Sequence, residues 1–151
     1  MNTIFVIFII LSILIFFVLI SLNCNQYKLK HLKVKYGDIE INHQTLTKEQ
    51  VVNRPTIIIP ENHYVLMYDR NPAVNPARIH LLTDIKDTYK RKDIFPYIGP
   101  NPPVNSGIHN YIFILCKGVP PYSPSDRNGF NPTPFYNNII AMNYFFIDTI
   151  K

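Results

Sequence analysis

The sequence is poor in the residues that build several common kinds of site. It has two cysteines, no tryptophan and only five glycines among 151 residues. Two cysteines, Cys24 and Cys116, are too few for a disulfide framework or for a cysteine-built zinc site. Neither a Gly-x-Ser-x-Gly elbow nor a His-Glu-x-x-His pattern occurs. The sequence therefore lacks the local signatures of an α/β-hydrolase and of a zincin metalloprotease.

Charge is absent from one long stretch. Residues 4–22 contain no Asp, Glu, Lys or Arg, and as a helix they would extend about 28 Å, close to the thickness of a bilayer core. Lysines follow the stretch at positions 28, 30, 33 and 35, and no Lys or Arg precedes it. The positive-inside rule then places the rest of the chain on the cytoplasmic side. We expect a single-pass membrane protein with a transmembrane anchor over 1–23, a basic juxtamembrane linker over 24–31 and one domain over 32–151.

Two other interpretations of this stretch are less favoured. A cleaved signal peptide would need a basic start and a small-residue cleavage site, and neither is present. A buried core helix would show a polar stripe, and none is visible. Abundant Ile, Asn, Lys, Tyr and Phe are typical of AT-rich genomes, so a parasite or a large DNA virus is a candidate source, with a virion membrane as one candidate location.

The basic charge does not indicate nucleic-acid binding. The formal net charge is +5 at pH 7, but no block of five basic residues and no recognised nucleic-acid motif occurs. An anionic ligand or surface is the remaining class of partner that this charge favours.

The domain has the pattern of a β-rich fold. Short segments alternate apolar and polar residues, as half-buried strands do, and 13 prolines in short clusters argue against long helices. The class predicted is all-β, in one domain with short helical pieces. The segments predicted as strands are 32–36, 39–41, 56–59, 64–68, 79–85, 111–116 and 139–147, and the one helix candidate is 135–138.

Candidate binding residues lie at the ends of predicted strands. Asp69 ends one strand, His80 opens another, and His109 and Tyr111 follow the Gly/Pro-rich loop 99–107. Because His109 and Tyr111 are two residues apart on a strand, they face the same side. If these strand ends converge, imidazole N–H groups, a tyrosine hydroxyl and loop N–H groups would suit an anion. Histidines in β-proteins are also often purely structural.

Six segments in order resemble the phosphatidylethanolamine-binding protein family. They are LKVKYGDIEI, LTKEQVVNRPTI, YVLMYDRNPA, IHLLTDI, GPNPPVNSGIHNYIFIL and RNGFNPTPFYNNIIAMNYFF. The resemblance implies an antiparallel β-sandwich with a small pocket for phosphate-type anions, such as phospholipid head groups. It implies a non-enzymatic binding protein and signalling regulator that uses no cofactor. It assigns Asp69, His80, Pro102, Pro103, Gly107, His109 and Tyr111 to the pocket.

The sequence departs from the family pattern at the pocket rim. Arg70 and Asn71 replace a proline and an aspartate, which makes the rim more cationic, and Asn110 replaces an arginine. The chain also stops soon after the last predicted strand, so we expect the usual C-terminal helix to be missing and the pocket to be more open.

Two alternative functions remain. The first is a protein-interaction module with a vestigial pocket that regulates a kinase or inhibits a protease. The second is a metalloenzyme in which Asp69, His80 and His109 form a facial triad for iron or zinc.

Overall fold

Short strands form nearly all of the regular structure. The computed structural model describes residues 29–70, 77–83 and 93–150. Within these ranges it has two 3-10 helices, Glu49–Val51 and Thr133–Asn138. The ten strands are β1 Lys30–His31, β2 Val34–Tyr36, β3 Ile39–Glu40, β4 Thr56–Ile57, β5 His63–Asp69, β6 Ala77–Thr83, β7 Asp93–Phe95, β8 Ile108–Lys117, β9 Asn128–Phe130 and β10 Ile139–Asp148.

The strands form two sheets. The larger has seven strands in the order β1-β10-β8-β5-β6-β7, with β9 also paired to β6, and the smaller has the order β3-β2-β4. The prediction of a strand-rich fold with few helices is confirmed. The predicted antiparallel sandwich is corrected in one respect, because β1 pairs with β10 in parallel. This pair joins strands from distant parts of the chain, so no hairpin forces them to be antiparallel.

The large sheet is buried on both faces. One face packs against β2 of the small sheet through residues that include Val34, Phe113 and Phe145. The other face is covered by Phe135 of the second 3-10 helix. Because both faces are covered, the central strands β5 and β8 are nearly continuous runs of apolar residues. Cys116 lies on the second face, and its burial raises the pKa of its thiol to about 11, so the thiol stays protonated at neutral pH.

A β-bulge occurs where β5 pairs with β6. Met67 pairs with Leu81, but Tyr68 pairs with Ile79, so His80 is the extra residue on β6. Met67 and Leu81 lie in the core between the two sheets, whereas Tyr68 and Ile79 lie in the core on the other face. A bulge bends its strand and changes the direction of one side chain. In this sheet that side chain is the imidazole of His80.

The predicted membrane localisation is corrected. In the described ranges the longest helix has six residues, and no helix is long and apolar enough to cross a bilayer. The predicted anchor over 1–23 lies outside the described residues. Two residues of the predicted linker, Lys30 and His31, form β1.

At Gly99 the proline-rich loop packs closely against the backbone at the end of the first 3-10 helix. A Cβ atom at this position would lie 3.0 Å from the carbonyl oxygen of Val52 and 3.2 Å from that of Val51. These are backbone atoms, which move less readily than a flexible side chain. We expect Gly99→Ala to lower the free energy of unfolding by about 1–3 kcal/mol. Chemical denaturation measures this, and an unchanged midpoint would contradict the close packing.

Candidate functional site

Three neighbouring strands bring the predicted site residues together. Asp69 is the last residue of β5 and lies directly opposite Tyr111 of β8. His109 is two residues before Tyr111 on the same strand, and their rings stack with centroids 6.3 Å apart. The bulged His80 meets the edge of the Tyr111 ring at a centroid distance of 5.1 Å. The structure therefore places all four side chains in one cluster.

Asp69, His109 and Ser106 form a continuous chain of hydrogen bonds. His109 Nδ1 lies 2.7 Å from Asp69 Oδ2, and His109 Nε2 lies 2.8 Å from Ser106 Oγ. The Ser106 hydroxyl also lies 2.6 Å from the carbonyl oxygen of Pro103, which can only accept. A hydroxyl has one hydrogen, so Ser106 donates to Pro103 and accepts from His109 Nε2. One hydrogen between His109 Nδ1 and Asp69 Oδ2 then completes the chain.

His80 is held in a single tautomer. Its Nδ1 lies 2.8 Å from the carbonyl oxygen of Ile98, so Nδ1 carries the hydrogen. The residue is only 3% exposed. Burial, reinforced by the positive charges of Arg78 and Arg127, lowers the pKa of His80 to about 4. The ring is therefore neutral near pH 7, and its Nε2 is an acceptor.

The two remaining groups of the cluster influence one another. Burial raises the pKa of the Asp69 carboxyl, and the hydrogen bond from His109 opposes this effect. Burial also raises the pKa of Tyr111, and the nearby negative charge of Asp69 raises it further. Asp69 Oδ1 is buried and has no hydrogen-bond partner in the described part of the chain. The Asp69 carboxyl thus has one oxygen bonded to His109 and a second, buried oxygen close to Tyr111.

The proline-rich loop is fixed at several of its predicted pocket positions. The buried Pro102 accepts a 2.7 Å hydrogen bond from Lys48 Nζ through its carbonyl oxygen. The Pro103 carbonyl accepts the bond from Ser106. Gly107 has φ +92°, which an L residue rarely adopts, and its carbonyl accepts a 2.9 Å hydrogen bond from Thr149 Oγ1. These bonds tie the loop to the first 3-10 helix and to the end of the chain.

The predicted rim lies only partly within the described structure. Arg70 is exposed, and its backbone N–H donates to the carbonyl oxygen of Asn110 at 2.8 Å. Asn71 lies outside the described residues. Asn110, where the family pattern has arginine, has a buried side-chain oxygen with no hydrogen-bond partner in the described ranges.

Two cavities flank the proline-rich loop on the side of the first 3-10 helix. One, of about 420 Å³, is lined by residues that include Thr47, Val104 and Asp148. The other, of about 520 Å³, is lined by residues that include Val52 and Asn101. Lys48 lines both, and its Nζ bonds to Asn101 and to the carbonyl oxygen of Pro102. None of the predicted site residues lines either cavity.

A metal centre finds no support in this geometry. Within the described residues, no group of three or more His, Cys, Asp or Glu side chains could hold a metal ion. Asp69 and His109 bond directly to each other, and His80 Nδ1 bonds to a backbone carbonyl. The arrangement is one of mutual hydrogen bonding and not of shared coordination.

Sequence reasoning missed two residues near the cluster. Ser106 lies in a loop where serine is an ordinary turn residue, so only its spacing of three residues before His109 could have indicated it. Arg78 precedes His80 by two positions on β6, and it was overlooked because the strand was predicted to begin at residue 79.

Comparison with known proteins identifies the family. The family model for phosphatidylethanolamine-binding proteins matches residues 38–141, more than half of the chain. The chain belongs to the phosphatidylethanolamine-binding protein family, and the resemblance inferred from the sequence is confirmed. No curated protein sequence matches the chain significantly.

Solved structures agree with this fold. A carboxypeptidase Y inhibitor, solved in complex with its cognate proteinase, superimposes with a TM-score of 0.64 at 20% identity, over 78% of this chain and 82% of the inhibitor chain. The phosphatidylethanolamine-binding protein of Plasmodium vivax gives a TM-score of 0.59 at 17% identity, over 80% and 87%. Its Plasmodium falciparum counterpart gives 0.56 at 18%, over 81% and 88%.

Proposed function

We propose that this protein is a non-enzymatic binding protein that holds a phosphate-type anion, such as a phospholipid head group, at the cluster of Asp69, His80, His109 and Tyr111. The observation that carries the proposal is the convergence of these four side chains from three strands, joined by the 2.7 Å bond between Asp69 and His109. Family members are generally binding or inhibitor proteins without enzymatic activity, which supports the same class of function.

The electrostatics of the cluster are compatible with an anion. His109 is hydrogen-bonded to the Asp69 carboxyl, Arg70 follows Asp69 in the chain, and Arg78 lies opposite Asp69 on β6. The balance of these charges is positive, although His80 is neutral. A charged ligand oxygen would then form charge-assisted hydrogen bonds, which are shorter and stronger than neutral ones.

Titration of the protein with O-phosphoethanolamine tests this function. We expect saturable one-to-one binding by isothermal titration calorimetry, weakened by added salt because part of the attraction is between exposed charges. Ethanolamine without phosphate is the matched control and should not bind. Absence of saturable binding for phosphoethanolamine, inorganic phosphate and glycerophosphoethanolamine alike would refute the proposal.

A second candidate is inhibition of a proteinase with no contribution from the pocket. It is favoured by the superposition on a carboxypeptidase Y inhibitor over 78% of the chain, although the identity is only 20%. Under this reading the protein should slow carboxypeptidase Y in a peptide hydrolysis assay. Undiminished inhibition by a variant that no longer binds phosphoethanolamine would favour this candidate over the first. A kinase partner is a further form of the same hypothesis.

A further inference from the structure

Arg78 lies beside the proposed binding site on the neighbouring strand. The register of β5 and β6 places it directly opposite Asp69, which itself lies opposite Tyr111 on β8. Residues directly opposite in an antiparallel pair share a face of the sheet, with Cβ atoms about 4.5–5.5 Å apart. A row of three side chains, Arg78, Asp69 and Tyr111, therefore crosses the sheet on the face that carries the cluster.

The Arg78 guanidinium is exposed, and it forms no ion pair with another described residue although it lies opposite a carboxylate. The ion pairs between described residues are Lys35–Glu40, Arg54–Asp93 and His109–Asp69, and none involves Arg78. Asp69 instead bonds to His109 through Oδ2. The charge of Arg78 nevertheless reaches the site, because it contributes to lowering the pKa of both His80 and Arg127. Arg78 is thus a cation close to the cluster that lacks a counter-ion in the described structure.

The two imidazoles are poorly placed to donate to an anion themselves. Both ring nitrogens of His109 already have partners, Asp69 and Ser106. The hydrogen of His80 is on Nδ1 and is directed to Ile98, so the neutral ring presents only an acceptor at Nε2. The Tyr111 hydroxyl interacts with Asp69 and belongs to a residue that is only 1% exposed, so an anion at this site needs another donor. A guanidinium has five N–H groups in a planar fork that matches phosphate and carboxylate oxygens.

We propose that Arg78 is the residue that directly contacts the anionic group of the ligand, while His109 holds Asp69 by a hydrogen bond from the neighbouring strand β8. This inference rests on the proposed function. It assigns to Arg78 the direct contact with the anion that the sequence analysis assigned to the imidazole N–H groups. It predicts that the bound group is a phosphate held by a bidentate, charge-assisted pair of hydrogen bonds. Because Arg78 would contact only the phosphate oxygens, removing it should weaken the binding of free phosphate, a phosphate monoester and a phosphate diester to a similar extent.

The test compares Arg78→Gln with Arg78→Lys and with Lys35→Gln, each titrated with inorganic phosphate, O-phosphoethanolamine and glycerophosphoethanolamine. Lys35→Gln removes the same charge from an exposed position on the small sheet. We expect Arg78→Gln to weaken binding about 10- to 100-fold. Arg78→Lys should recover part of the affinity, because it keeps the charge but loses the fork. Lys35→Gln should bind within about twofold of the unmodified protein.

The outcomes separate this inference from the proposed function. Normal affinity in Arg78→Gln would overturn the role of Arg78 and leave the anion site standing. Equal weakening in Arg78→Gln and Lys35→Gln would also overturn it, because only the overall charge would then matter. If the unmodified protein binds none of the three compounds, both proposals fail. Because Arg78 is exposed, thermal melting should show that the variants remain folded.

Discussion

Acidification from pH 6.5 to pH 4 is expected to cost the protein up to about 3 kcal/mol of stability through His80 alone. Burial lowers the pKa of this imidazole from 6.5 to about 4, so between these values the unfolded chain binds a proton that the folded protein does not. The contribution of His80 to stability therefore rises with pH across this window, by up to about 1.4 kcal/mol for each pH unit. Above the window this contribution is constant. Urea denaturation midpoints measured at pH 4, 5, 6 and 7 would record the change.

A matched pair of asparagine variants isolates this contribution. His80→Asn places an amide N–H near the position of Nδ1, so the bond to Ile98 can be retained while the titration is removed. Its stability should vary less between pH 4 and 6.5 than that of the unmodified protein. His43→Asn is the control, because His43 is exposed and has φ +61°, which asparagine tolerates. The raised pKa of Asp69 acts in the opposite sense, so the variants must be compared with each other. Identical pH profiles for all three proteins would contradict a neutral, buried His80.

Replacement of His109 by alanine is expected to lower stability by about 2–3 kcal/mol and to weaken phosphoethanolamine binding about 100-fold. The loss of stability follows because the largely buried carboxylate of Asp69 loses a charge-assisted hydrogen bond. The loss of affinity follows because Asp69 would then present an uncompensated negative charge to the ligand. Denaturation and calorimetry on the same preparation would measure both effects.

His109→Asn distinguishes these two roles. The asparagine amide can still donate to Asp69 from near the Nδ1 position, but it cannot carry a positive charge. We expect most of the stability to return and the affinity to remain low. His31→Ala is the control, since His31 is exposed and lies on β1 at the edge of the large sheet. Recovery of full affinity in His109→Asn would show that the charge of His109 does not contribute to binding.

The strands that carry the site were largely predictable, because their apolar runs are long. The segments predicted at 64–68 and 111–116 lie inside β5 and β8, and the segment at 139–147 lies inside β10. The strand β6 was less well predicted: it spans Ala77–Thr83, whereas the pattern indicated 79–85. Its first residues, Ala77 and Arg78, are held by pairing with β9, a tertiary contact that no local pattern reveals.

The arrangement of the site could not be predicted from local pattern. The bulge at His80 depends on how β6 pairs with Met67 and Tyr68, which lie 12 or more residues away in sequence. The contact between Asp69 and His109 joins residues 40 positions apart, and only the family resemblance suggested that they meet. The same resemblance placed the two imidazoles in the anion pocket, where they were expected to donate hydrogen bonds to the anion. Their hydrogen bonds to Ile98, Asp69 and Ser106 became visible only in the folded chain.

Mapping of the binding site by nuclear magnetic resonance tests the central claim most directly. In a titration of the isotope-labelled protein with O-phosphoethanolamine, we expect saturable shifts at the backbone amides of Asp69, Arg78, His80, His109 and Tyr111. The two cavities beside Lys48 offer a competing location, because each contains one lysine that an anion could contact. Saturable shifts confined to Lys48 and its neighbours, with the four-residue cluster unaffected, would contradict the account.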